Sequence, residues 1–226
     1  MPSKTFFNLP DEKREKIISA ALREFASRGF AKTSINSIVE RAGIAKGSIY
    51  QYFADKKDFY LYLVRYVRDS YASRRSEAVG DFGERPLREV LRDLFLFFRD
   101  YREEHPLLVN FYFAMVGDGS IPFEAEIREI LTEPSLEFVR ELISTGIERG
   151  EIRGDIDREI LTFELVALVT SFQGASVDEN IGGYHGIDGG DRAKLAARAD
   201  DLIERLFQGI TPKTDSPDSG DSDSAG

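Results

Sequence analysis

The residues with the most chemistry to offer lie between Gly43 and Phe59, in the stretch GIAKGSIYQYFADKKDF. Ile49 and Phe53 are four apart, so a short helix here turns both inward. The positions between them then face outward. Gln51 carries an amide that both donates and accepts, the pattern an adenine edge requires. Tyr50 can reach a phosphate or lie against a thymine methyl. Gly47 removes a side chain and lets a partner approach the backbone closely. Lys46, Ser48 and Lys56 can meet phosphates. Upstream, Thr33 and Ser34 stand at a helix N-terminus, where free N–H groups and the helix dipole favour an anion. Tyr52 falls between the inner and outer sides, leaving it open to a core role or a contact. Lys57 is expected to be solvated.

Little else in the chain could do chemistry. There is no cysteine, which excludes disulfides, thiolate metal sites and a cysteine nucleophile. The two histidines, His105 and His185, are not in a metal-ligand spacing. Glu124, Glu126 and Glu129 read as a solvated helix side. We expect no enzyme, no catalytic residue, no metal and no cofactor. The net charge of −10 argues against a general nucleic-acid binder. The charge is unevenly spread, however. Residues 1–60 hold 11 Lys and Arg against 7 Asp and Glu, a net +4, and the remainder is −14. Such asymmetry suggests that one part meets a polyanion. No run of about 18 uncharged apolar residues is present, and MPSKTFFNLPDEKREK lacks an apolar signal core. A cytoplasmic location without membrane contact is expected.

The elements that must position these side chains read as helices throughout, so the fold class is all-α. Ile18, Leu22 and Phe25 form the stripe of a helix from Pro10 to Arg28, and Gly29 stops it. Ile35, Ile38, Val39 and Ala42 mark a second helix from about Ser34, with Thr33 or Ser34 as its N-cap. A third runs from about Lys46 to Phe53. Asp55 caps a long fourth helix towards Ser76. Beyond a loop at Gly80–Pro86 the pattern predicts Leu87–Glu103, Pro106–Val116 and Phe123–Leu131. Pro134 is expected to begin a new helix reaching Arg149. Glu159–Val177 follows, then a Gly-rich loop, NIGGYHGIDGG, and a last helix from Asp191 to Gln208. The segment TPKTDSPDSGDSDSAG has the composition of a disordered acidic tail.

A helix, a glycine-ended turn and a short second helix on a three-helix core describe a helix-turn-helix, about residues 34–53, whose second helix enters the major groove. At this point the resemblance becomes specific. The segment DEKREKIISAALREFASRGFAKTSINSIVERAGIAKGSIYQYFADKKDFY resembles the N-terminal domain of the tetracycline-repressor (TetR-type) transcription regulators. The resemblance implies DNA contacts at Thr33, Ser34, Lys46, Gly47, Ser48, Tyr50, Gln51, Tyr52 and Lys56, with Gln51 reading the operator. It implies a DNA-binding domain at 1–57, a helical regulatory and dimerising domain at 58–210, and the tail at 211–226. It also implies a repressor that binds a palindromic double-stranded operator as a homodimer and is released by a small effector. A chromosome-organising DNA binder without a ligand is the alternative within the same family.

Seven aromatics fall between Phe95 and Phe113, which suits either plain core or a pocket for an apolar or aromatic effector. Phe98, Tyr101, Phe111, Tyr112, Met115 and Phe172 are the candidate lining residues. Leu195, Ala199, Leu202 and Leu206 form a seam that could pack on its own chain or on a second subunit. The resemblance favours a homodimer through the last two helices.

Overall fold

Proline, glycine and capping carboxylates divide the chain where their chemistry dictates. The computed structural model describes residues 2–187 and 189–211, and of residues 179 and 180 only the backbone. The expected acidic tail, apart from Thr211, lies outside the described residues. Those described form helices α1 (Lys4–Phe7), α2 (Asp11–Lys32), α3 (Ile35–Ala42), α4 (Lys46–Tyr52), α5 (Lys56–Val79), α6 (Leu87–Glu104), α7 (Pro106–Val116), α8 (Glu124–Glu148), α9 (Arg158–Val177), α10 (Glu179–His185) and α11 (Arg192–Ile210), and no strand.

The first core joins α2, α3 and α4 through Ile18, Leu22, Phe25, Ile38, Val39 and Ile49. Burying each such side chain contributes about 1.5–3 kcal/mol. This core continues without a break through Phe59, Tyr60, Leu63 and Val64 of α5 into α7 and the start of α8. Asp55 caps α5 by accepting from the Asp58 amide at 2.7 Å. The sequence pattern missed α1, because four residues show no period. Its Phe6 is fully buried, with ring centroids 5.7, 4.9 and 5.3 Å from Tyr52, Phe53 and Tyr62.

The second core joins α6, α8, α9 and α11 through Leu91, Phe95, Leu142, Ile143, Leu161, Leu165 and Phe172. Leu195, Ala199, Ile203 and Phe207 of α11 complete it, so the seam on the last helix packs largely on its own chain. Leu202 and Leu206 are half-buried beside it. By length and a mean hydropathy of 1.5, α9 is the one described helix able to cross a membrane. Here its inner side fills the second core, while Ile160 and Phe163 are 55% and 70% exposed.

Two expectations are corrected. Pro134 does not start a helix but lies inside α8. It has no N–H for the carbonyl of Ile130 four residues earlier. Arg68 Nη1 donates to that oxygen at 3.5 Å, and Ser135 Oγ donates to Leu131 O at 3.1 Å. Satisfied from the side, α8 runs on. The Gly-rich stretch expected as a loop contains the short helix α10.

Candidate nucleic-acid interface and adjoining cavity

Three helices and one turn build the interface. Ser34 Oγ accepts from the Ser37 amide at 3.1 Å and so starts α3. Gly43, at φ +67°, closes α3 in the left-handed conformation and sends the chain into α4. With Ile49 1% and Phe53 3% exposed, α4 is held by one side. Its other side is open. Lys46, Gly47 and Gln51 are exposed, Tyr50 is 56% exposed, and Ser48 is half-buried. Ser34, at the start of α3, is exposed as well. Together these six residues offer amide, hydroxyl, phenol and ammonium donors.

Three residues expected among them are elsewhere. Thr33 is 2% exposed, and its hydroxyl lies 2.8 Å from Gly29 O and 3.1 Å from Glu24 O, both acceptors. It closes the end of α2 and leaves the N-cap of α3 to Ser34. Tyr52 is 5% exposed and packs on Phe6, a neighbour supplied by α1. Lys56 points back at α2. Its Nζ donates to Phe30 O at 2.9 Å, Thr33 O at 3.1 Å and Ala31 O at 3.4 Å, and sits 4.4 Å from the Phe30 ring centroid. An ammonium there satisfies carbonyls that the helix end leaves without donors and opposes the negative end of its dipole. Lys57, expected to be solvated, pairs with Glu126 at 2.5 Å.

Sequence reasoning also missed two supports of the interface. Glu24 is 2% exposed and accepts from Arg41 Nε of α3 at 2.8 Å, with Arg28 Nε 3.3 Å away. Burial is the largest influence on this carboxyl and pushes its pKa up. The Arg41 and Ser37 hydrogen bonds and the charges of Arg28 and Arg41 together outweigh it, and the net shift is downward. Ser3 is the second support. Its amide donates to Tyr52 O at 2.8 Å and its hydroxyl to Gln51 O at 2.7 Å. The last carbonyls of α4 are thereby capped by the residue just ahead of α1.

The α7–α8 connection reaches this head from the other side. Gly29, at φ +71° and ψ 171°, breaks α2 in a region that is almost glycine-only, and this aims the Phe30 amide outward. Asp118 Oδ2 accepts that amide at 3.0 Å. Any side chain at Gly29 would bring a Cβ within 2.8 Å of the same oxygen. Phe123 stacks edge-on against Phe30 at 4.8 Å.

A cavity of about 300 Å³ lies between α5, α6, α7, α8 and α9. Tyr71, Phe98, Tyr101, Tyr112, Phe113 and Arg68 are among its walls. Of the six expected lining residues, Phe98, Tyr101 and Tyr112 line it. Phe111, Met115 and Phe172 do not. On α7, Leu108, Tyr112 and Val116 share the cavity side, whereas Phe111 and Met115 share the side that packs into the first core. Phe111 meets Tyr60 at 5.3 Å, and Phe172 meets Phe95 at 4.9 Å.

Residues 17–63 match the family of bacterial regulatory proteins described as the tetR family. A solved TetR family transcriptional regulator from Chloroflexus aurantiacus J-10-FL is 31% identical, with a TM-score of 0.66 over 94% of this chain and 100% of that one. The chain belongs to the TetR family. As in that family, an N-terminal helix-turn-helix domain is the DNA-binding unit of a transcriptional regulator, and a helical C-terminal domain follows it. Among curated TetR relatives, the HTH-type transcriptional regulator YerO of Bacillus subtilis is 27% identical over 87% of this chain. That match spans 66% of YerO's length, slightly under two thirds. The fold is shared with FadR of Bacillus subtilis, solved in complex with stearoyl-CoA, at 20% identity and a TM-score of 0.66 over 87% of this chain and 98% of that one.

Proposed function

We propose that this protein is a repressor that binds a roughly palindromic operator as a homodimer and is released by a small effector. The observation that carries the DNA-reading half is the edge of α4: a helix fixed by Ile49 and Phe53 with Tyr50 and Gln51 turned to solvent. Gln51 reads an adenine edge, Tyr50 meets phosphate or a thymine methyl, and Lys46, Ser48 and the exposed Ser34 meet phosphates. In this reading residues 1–57 bind DNA, and residues 58–210 sense the effector and dimerise.

The dimer is supported by Ile160 and Phe163, apolar and exposed on α9. Two copies joined there would present two α4 edges one DNA turn, about 34–36 Å, or a near multiple apart. The effector half is supported by the aromatic cavity and by the path from it to the head. Val116 lines the cavity, and Asp118, two residues on, holds the Phe30 amide. An effector that fits only a widened cavity shifts the protein towards a state in which α2, and with it α3 and α4, is re-aimed. Ligand binding by the structurally similar FadR of Bacillus subtilis is in keeping with this.

Selection of bound sequences from random duplexes tests the reading. Enrichment of an inverted repeat is expected, and its release by at least one compound from a broad apolar library. Affinity indifferent to sequence at low salt would overturn operator reading, and an operator affinity that no compound changes would overturn the effector.

A further inference from the structure

Most polar groups in the cavity wall are already in use. Tyr71 O–H donates to Gln173 Oε1 at 3.2 Å, and Gln173 Nε2 donates to Leu94 O at 3.3 Å. Tyr101 O–H donates to Ser70 Oγ at 3.3 Å, and Ser135 Oγ donates to Leu131 O. Arg68, Tyr112 and the exposed Thr170 retain capacity. The Tyr112 hydroxyl has no hydrogen bond to a described residue, and burial raises its pKa, so it stays a neutral donor.

Arg68 brings the wall's charge. Among the described residues no Asp or Glu lines the cavity, although the protein as a whole carries −10. The guanidinium side chain is 28% exposed and places Nε and Nη2 at 2.8 and 2.6 Å from one oxygen of Asp69, which is 64% exposed and belongs to no wall of the cavity. An ion pair so open to water holds its partners weakly. The remaining contact of Arg68 is the long one to Ile130 O, the carbonyl left without a donor by Pro134. A fork of N–H groups half-committed to a carbonyl and a solvated carboxylate suits a second planar anion. The five aromatic walls suit an apolar body, and 300 Å³ is at the small end of ligand sites.

We propose that the effector is a small amphipathic monocarboxylate. Its carboxylate sits on Arg68, with the Tyr112 phenol as a neutral donor in the same cavity, and its aliphatic or aromatic body lies among Tyr71, Phe98, Tyr101 and Phe113. This rests on reading the cavity as the effector site. A cationic ligand would find aromatic faces but would meet Arg68, whose carboxylate partner Asp69 stands outside the cavity wall.

Isothermal titration of the full chain with matched probes decides the matter: decanoate and 4-phenylbutyrate, their primary amides, and (4-phenylbutyl)trimethylammonium. The acids are expected to bind at least about tenfold tighter than the amides, a 1.4 kcal/mol preference. Arg68→Met is expected to collapse the acid-to-amide affinity ratio to about one. Tyr112→Phe should weaken the acids by a smaller factor. Equal binding of acid and amide, or tighter binding of the ammonium, overturns the carboxylate site and leaves the cavity standing. If no probe of any charge binds, the effector reading of the cavity falls as well. Should Arg68→Met fail to fold, the wild-type ratio of acid to amide decides alone, with Arg68→Lys expected to retain part of the preference.

Discussion

At Gln51 the amide is exposed while its own carbonyl is tied down by Ser3, so the side chain is presented from a fixed backbone. Gln51→Ala is expected to relax base preference at one operator position, costing about 1–3 kcal/mol against the preferred site. The check is a comparison of affinities for the preferred duplex and single-base variants; an equal loss on random DNA would remove Gln51 as a base reader. Two lysines of similar sequence appearance separate sharply. Lys46 is exposed on the reading edge, whereas the Lys56 ammonium is spent on three backbone carbonyls. Lys56→Ala is therefore expected to lower unfolding stability by about 1 kcal/mol, as a cation at a helix C-terminus would, and to leave the salt dependence of DNA binding unchanged. Lys46→Ala should do the reverse and reduce the salt slope by about one charge. Denaturant melts and titrations at several salt concentrations measure both.

Between elements, Glu24 is the joint. It ties α2 to α3 through Arg41, and Thr33 bonds the Glu24 carbonyl from the start of the next turn. Its carboxyl pKa is lowered in the folded state, so its contribution is complete above the unfolded carboxylate value of about 4.3 and fades as pH falls through the lower folded value. Wild type should thus lose stability on acidification below about pH 4 more steeply than Glu24→Gln. At neutral pH Glu24→Gln should be less stable by about 1.5–3 kcal/mol, the worth of a charged hydrogen bond. Thermal melts from pH 3 to 7 show both effects. The helices themselves were legible because Ile18, Leu22, Phe25 and Ile35, Ile38, Val39 repeat at the helical period, and because Gly29, Gly43 and Asp55 are chemically suited to the ends they mark. What was not legible depends on a distant partner. Nothing near Tyr52 in sequence announces Phe6. Nothing near Lys56 announces the open carbonyls of α2, and nothing near Pro134 announces Arg68. The cavity walls were half-read for the same reason: aromatics on α7 alternate between two neighbours, and only the fold says which neighbour leaves space.

For the whole molecule, charge and shape divide the labour. Residues 1–60 are net positive and the rest strongly negative, so a duplex is attracted to one end and repelled by the other. If Phe163 on α9 lies in a subunit interface, Phe163→Asp should yield monomers, since a desolvated carboxylate there has no partner. Operator affinity should then fall by about 10²–10⁴-fold, the range that linking two binding events contributes. Sedimentation and operator titration check this together; an unchanged dimer would place the interface elsewhere. Lastly, the Ser3 contact acts as a latch on the reader. One serine grips two successive carbonyls at the close of α4, so the frame that carries Gln51 is steadied from outside the helix-turn-helix itself. Trimming that hydroxyl alone, as in Ser3→Ala, should therefore blunt base discrimination without touching a single group that faces the duplex.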